Sequence, residues 1–195
     1  MSRNMKIVLG IIGGIALCCI ISVIAAVVFL PQWAANFAQE SFIENPEDAA
    51  RVGQEIVNYE LPEGYAEEGG MSILGIDMIF ASPANANDGV IMLMAFPQSL
   101  AGNEAEMQSQ MEQTFRRQMG RQDIHLIYKG SEDITINGQT TSLSIYEGTD
   151  ENGVDVRQVS AIFEAKSEVP GMLMIFAPLD GWEDQGFDGF LASME

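Results

Sequence analysis

Positive charge is scarce in this chain of 195 residues: nine lysine and arginine residues stand against 28 aspartate and glutamate residues, a formal net charge of −19. Arg3 and Lys6 precede a long apolar run, so the part beyond that run carries 7 − 28 = −21. Such a charge makes nucleic acid and anionic lipid surfaces poor partners. The acidity indicates either solubility in a salty exterior, or a surface that binds cations or a basic partner.

Cysteine and histidine are almost absent. Cys18 and Cys19 both fall inside the apolar run, so the rest of the chain has no disulfide, thiol nucleophile or thiolate ligand. His125 is the only histidine. We interpret it as structural, because one histidine cannot complete a zinc site and no Gly-x-Ser-x-Gly motif is present. No glycine-rich phosphate loop is present either. We therefore predict no catalytic residue, no metal ligand and no cofactor.

The apolar run spans residues 7–30 and contains no charged side chain. At about 1.5 Å per residue it can cross a hydrocarbon core of about 30 Å, so we predict a single transmembrane helix. The basic residues Arg3 and Lys6 place residues 1–6 in the cytoplasm and the C-terminal domain outside it, by the positive-inside rule. The alternative is a cleaved signal peptide. Gly10 and Gly14 form a G-x-x-x-G pair that would serve a weak homodimer.

Beyond this helix, we predict a tether over residues 31–44 and one acidic domain over residues 45–195. The length suits a single domain. Asn45 and Pro46 predict a helix that starts there and ends near Glu55. A second helix is predicted over residues 103–120, where Met107, Met111, Phe115 and Met119 form a stripe that should lie on a sheet.

Strands are predicted from alternating or continuous apolar residues, with turns between them. The predicted strands lie within residues 57–61, 71–81, 90–96, 124–129, 134–136, 142–146, 154–163 and 172–177. The continuous apolar run at 90–96 indicates a central strand. Residues 62–64 form a predicted turn, and Asn137-Gly138 and Asn152-Gly153 are hairpin signals. The order predicts an α+β domain with a largely antiparallel sheet and helices packed on it.

Two groups of acidic residues could carry chemistry. Asp180, Glu183, Asp184 and Asp188 lie close in sequence, but Asp180 and Glu183 fit the cap of a final helix, which explains their charge without a catalytic cluster.

The second group is Asp150, Glu151, Asn152 and Asp155, which resembles a calcium loop. The spacing differs from an EF-hand, and a hairpin turn at Asn152 explains it.

Three stretches resemble PsbP/DcrB-like domains. They are the turn Leu61-Pro62-x-Gly64-Tyr65, the strand end Ala95-Phe96-Pro97 before an amphipathic helix, and the closing Gly181-Trp182 with Phe187-Asp188-x-Phe190-Leu191-Ala192-Ser193. The resemblance implies an extracytoplasmic or accessory protein that supports an assembly. It implies no catalytic residues.

Our leading interpretation is a membrane-tethered extracytoplasmic module that binds a protein partner or stabilises an envelope assembly through its acidic surface. One alternative is a hydrolase that uses carboxylates. Another is a self-assembling structural surface protein, which Gly10 and Gly14 would serve.

Overall fold

A computed structural model describes residues 41–83, 89–100, 102, 126–150 and 152–194. The predicted N-terminal tail, the predicted transmembrane helix with Gly10 and Gly14, most of the tether, the predicted helix over 103–120 and His125 lie outside these residues. Within the described residues, no helix combines the length and hydropathy needed to span a membrane.

The described elements are ten strands and helices. They are β1 Phe42–Ile43, α1 Pro46–Ile56, β2 Tyr65–Ile73, β3 Ile76–Pro83, β4 Val90–Ala95, β5 Ile127–Ile136, β6 Gln139–Thr149, β7 Asp155–Glu164, β8 Pro170–Pro178 and α2 Phe187–Ser193. The strands form one eight-stranded sheet in the order β1-β2-β3-β4-β8-β7-β6-β5. Every neighbouring pair is antiparallel. The predicted α+β class and antiparallel sheet are confirmed.

Helix α1 begins where the sequence predicts. The Asn45 side chain accepts a hydrogen bond from the Glu47 amide at 3.0 Å, and Pro46 occupies the first helical position. These features satisfy and pre-organise the free N-terminal end of the helix. At the other end, Lys166 donates from Nζ to the Gln54 carbonyl at 2.7 Å. A cation at this end complements the helix dipole.

The strand predicted over residues 57–61 is wrong. The segment does not pair with the sheet, although Val57 and Tyr59 are buried. Side chains satisfy its backbone instead: Gln54 donates from Nε2 to the Tyr59 carbonyl at 2.9 Å, and the Glu60 amide donates to Ser193 Oγ at 2.8 Å. The alternation therefore reflects burial of every second side chain, which an extended connection produces as well as a strand does.

Two strands replace the single strand predicted within residues 71–81. β2 and β3 form a hairpin whose turn, Leu74-Gly75, has φ of 55° and 79°. The opposite error occurs later, where one long strand, β5, covers two predicted ones. A bulge between Tyr128 and Gly130 interrupts its register without ending it. The Asn137-Gly138 turn between β5 and β6 is confirmed.

The predicted single helix that begins at Asp180 is also wrong. A short 3₁₀ turn covers Glu183–Gln185, and no side chain caps it. Gly186 then adopts φ of 74°, in the left-handed region, and α2 begins at Phe187. A left-handed residue cannot continue a right-handed helix, so the acidic turn and α2 are separate.

The sheet has two differently covered faces, because alternate residues of each strand point to opposite sides. Both described helices pack on the inner face, and the main core forms there. Its central members include Ile79, Ile91, Leu93, Leu173, Ile175, Ile56, Phe187 and Phe190. The outer face carries a second cluster, whose buried members are Met94, Phe96, Met172 and Met174. No residue of the two described helices belongs to that cluster.

Candidate binding surface

The acidic loop that resembles a calcium site is a hairpin connection between β6 and β7. Asp150 Oδ1 accepts hydrogen bonds from the amides of Asn152 at 2.9 Å and Val154 at 2.8 Å. The bond from Val154 is the main reason that the pKa of Asp150 lies below its usual range, and those from Asn152 and Gly153 add to it. Asp155 accepts from Thr149 Oγ1 at 3.0 Å. These two carboxylates therefore stabilise the loop; Glu151 lies outside the described residues.

The acidic residues near the C-terminus are spread over two elements. Glu183 and Asp184 belong to the 3₁₀ turn, whereas Asp188 lies in the first turn of α2. Across the part of the chain that the structure describes, no three histidine, cysteine or acidic side chains converge as metal ligands.

The described cations are engaged by the chain itself. Arg51 contacts Asp48 at 3.5 Å and Glu55 at 2.9 Å on the exposed side of α1. Lys166 donates to Asn58 Oδ1 at 2.7 Å as well as to the end of α1.

The other two described cations share one carboxylate. Arg157 donates to Glu147 Oε1 from Nε at 3.0 Å and from a terminal nitrogen at 2.6 Å, while Lys129 approaches the second oxygen at 3.7 Å. The guanidinium also lies 5.2 Å from the ring centroid of Trp182. Its hydrogen bonds to Glu147 are the largest cause of a lowered pKa at that carboxyl, and the charges of Arg157 and Lys129 lower it further.

The described part of the chain has an excess of acidic groups. The described residues contain four lysines and arginines and 20 aspartates and glutamates, hence a formal charge of 4 − 20 = −16. Each of the four cations already contacts an acceptor of this chain, so the remaining carboxylates give the described part of the surface a negative potential.

The outer face of the sheet combines an apolar half with a polar half. Met92 and Met174 lie opposite each other on β4 and β8, and Ser160 and Ser144 continue the same row on β7 and β6. Next to this row lies Gln158, only 6% exposed, whose buried Oε1 has no hydrogen-bond partner among the described residues. A buried amide oxygen without a partner costs about 1–3 kcal/mol. The sequence shows only a polar alternation here, which is typical of solvent-facing positions and does not reveal the burial.

A half-open cavity of about 620 Å³ lies at the end of the sheet where β4, β7 and β8 meet the β6–β7 loop. Its lining is mostly apolar, and its described members are Ser82, Gly89, Val90, Asp150, Asn152, Val154, Val156, Phe176 and Pro178. The Asp150 carboxylate already accepts hydrogen bonds from loop amides. The cavity would therefore bind a ligand through apolar contacts and not through a free charge.

Comparison with known proteins assigns no family. No family model matches the chain, and no curated protein matches it. Among solved structures, LpqN, which is involved in cell envelope biogenesis of Mycobacterium tuberculosis, resembles 71% of this chain over 80% of its own length. The TM-score is 0.32 and the sequence identity is 10%.

Proposed function

We propose that this chain is a membrane-tethered, extracytoplasmic accessory module that binds a basic protein partner through its acidic surface. The observation that carries the proposal is the pairing of the described cations. Arg51, Lys129, Arg157 and Lys166 are all held by the chain's own acceptors, while carboxylates outnumber them by 20 to four.

This arrangement favours a cationic partner in two ways. A surface of one sign concentrates partners of opposite charge and speeds their association. The acids that already contact cations stabilise the fold, so the others can bind a partner without breaking an internal ion pair. The apolar run of residues 7–30 would hold the module at the membrane, where a partner is met in two dimensions.

The proposal is tested by crosslinking in cells, followed by co-purification. The full chain is compared with a secreted form that lacks residues 7–30, and both are washed at low and high salt. We expect a defined basic protein with the anchored form, and we expect its recovery to fall as salt screens the surface charges.

Two double variants test whether recovery of the partner depends on the surface charge of this chain. Glu132→Gln and Asp133→Asn together remove two exposed acids while keeping the size of each side chain. Glu44→Gln and Glu47→Gln remove two other exposed acids, at the start of α1. Capture that is unchanged in all four substitutions and at high salt would refute an acidic docking surface.

A further inference from the structure

The two edges of the sheet differ greatly in length. β1 is a two-residue strand, Phe42–Ile43, whereas β5 at the opposite edge has ten residues, Ile127–Ile136. Among the described strands, β6 is the one neighbour of β5. A long edge strand presents a row of main-chain groups that another extended chain can use.

The register shows which main-chain groups of β5 face outward. The two-residue turn closes on the pair Ile136 and Gln139, and hydrogen-bonded pairs then alternate with non-bonded pairs along the ladder. Ser131, Asp133 and Thr135 are the non-bonded positions, so their N–H and C=O groups point away from β6. Among the described residues, none forms a backbone hydrogen bond with these groups.

The side chains of this edge are exposed and mostly polar or acidic. Ile127 and Tyr128 are 65% and 52% exposed at one end, and Glu132 and Asp133 are exposed in the middle. Asp133 is on the outer face with Ser142, and Glu132 is on the inner face with Leu143. A strand added to β5 would therefore meet a carboxylate on each face.

We infer that the β5 edge accepts an extended, basic segment of the partner as an additional strand. The inference rests on the proposed function and gives it a site. The carboxylates of Glu132 and Asp133 would pair with lysine or arginine at cross-strand positions. The same two charges oppose those antiparallel pairings of two β5 strands that set residues 132 and 133 of one copy against those of the other, because like charges then lie opposite each other. One acidic pair thus selects a basic strand and discourages self-association.

The test uses the full chain in mild detergent and a synthetic peptide of alternating lysine and valine. Lysines on the outer face would meet Asp133, which is the carboxylate that this peptide tests, and valines on the inner face would lie beside Ile134. A control peptide has the same charge but contains prolines that prevent a strand. We expect the alternating peptide alone to slow amide hydrogen exchange at Ser131, Asp133 and Thr135, and not to slow it further at Ile134, which already pairs with Thr141.

Two variants at one position isolate the backbone. Thr135→Pro removes the outward N–H without touching a hydrogen bond to β6, whereas Thr135→Val keeps that N–H and the branched shape. We expect Thr135→Pro to weaken peptide binding about tenfold and Thr135→Val to leave it unchanged. Circular dichroism and thermal unfolding verify that both variants fold. If Thr135→Pro fails to fold, the edge site is tested by the amide exchange of the native chain with the two peptides alone.

A third variant tests the charge. Asp133→Lys should weaken binding of the basic peptide by roughly tenfold, since it replaces an attraction with a repulsion. Equal binding of both peptides without protection of the three outward amides would overturn the edge site and leave the acidic docking surface standing. If neither peptide binds at low salt, the edge site and the proposed function both fail.

Discussion

Gly53 shows how closely the inner layer is packed. This glycine of α1 faces the ring of Tyr59, and a Cβ at position 53 would overlap the phenol group and lie 3.0 Å from Cζ. The ring cannot move away freely, because it packs edge-on against Phe190 and donates from its hydroxyl to Glu67 at 3.0 Å. Burial, together with the charge of Glu67, raises the pKa of Tyr59 well above its usual range, so the phenol stays protonated as a donor.

We therefore expect Gly53→Ala to lower the free energy of unfolding by about 1–3 kcal/mol, although alanine is the better helix former. Gly189→Ala in α2 is the matched control, since nothing lies within 4 Å of its added Cβ. It should raise the stability by about 0.5–1 kcal/mol. Chemical denaturation measures both. A stabilising Gly53→Ala would show that the Tyr59 ring has room to shift.

Glu147 should contribute to the loss of stability at acidic pH. Its pKa in the fold is lowered from 4.5, chiefly by the hydrogen bonds from Arg157. A lowered pKa stabilises the fold above the unfolded-state value, and this contribution is lost as the pH falls through the folded-state value. We expect Glu147→Gln to be less stable than the native chain at neutral pH.

The two stability curves should converge as the pH falls from 4.5 through the lowered folded-state pKa, because the carboxyl of the unfolded chain becomes neutral first and that of the native chain becomes neutral last. Urea denaturation at a series of pH values follows this difference. A gap that stays constant down to strongly acidic pH would contradict a role for the ionised carboxyl. Glu168→Gln, at an exposed turn position, serves as the reference for loss of a distant charge.

At the scale of elements, two hairpins use the same turn with different sequences. Asn137-Gly138 has φ of 50° and 72°, and Leu74-Gly75 has φ of 55° and 79°. Asparagine adopts the left-handed region readily, whereas leucine does so at a cost of roughly 1–2 kcal/mol. Leu74 is 87% exposed, so burial does not offset this cost.

Leu74→Asn should therefore stabilise the domain by about 1 kcal/mol, as measured by the midpoint of thermal or urea unfolding. Leu74→Val is the control, and it should destabilise the domain because a β-branched residue adopts positive φ still less readily. Equal stability of the native chain and Leu74→Asn would show that the positive φ of Leu74 costs no measurable free energy of unfolding.

The same pair of turns explains how far the fold was predictable. The Asn-Gly signal at residues 137–138 reveals its hairpin, and the caps at Asn45 and Pro46 reveal α1. In the turn Leu74-Gly75, only the glycine is typical of a hairpin turn. The local sequence therefore could not show that β2 and β3 are separate strands. Periodicity also could not distinguish the extended segment at 57–61 from a strand, because its hydrogen-bond partner Ser193 is 133 residues away from Glu60.

Features of the candidate surface were less predictable than the fold. The acidity of the chain follows directly from composition, but the pairing of Arg157 with Glu147 depends on the register of β6 and β7. The exposure of the β5 edge depends on strand order, which no local pattern reveals. Gln158 looks like a surface residue in sequence and is buried in the fold.

At the scale of the whole molecule, excess negative charge opposes compactness. The described residues carry 4 − 20 = −16, and self-repulsion of this kind is screened by salt. We expect the unfolding midpoint of the full chain in non-ionic detergent to rise as ionic strength increases from about 0.01 M to 0.15 M, where the Debye length falls from about 30 Å to 8 Å.

Sodium and potassium chloride should act equally, because screening depends on ionic strength and not on the identity of the ion. Calcium chloride at matched ionic strength is the control. A much larger rise with calcium would indicate a specific cation site instead of general repulsion, and no rise with any salt would show that self-repulsion does not limit stability.

The strand order also sets when the domain can be completed during synthesis. β1 to β4 form one meander and β5 to β8 another, and the two meet where β4 pairs with β8. Both central strands are the last of their own meander. β4 emerges from the ribosome long before β8. One edge of the apolar strand Val90–Ala95 therefore stays unpaired while the second meander is synthesised. In the nascent chain, this apolar strand is therefore exposed to aggregation for longest, and it becomes fully paired only after β8 has been synthesised.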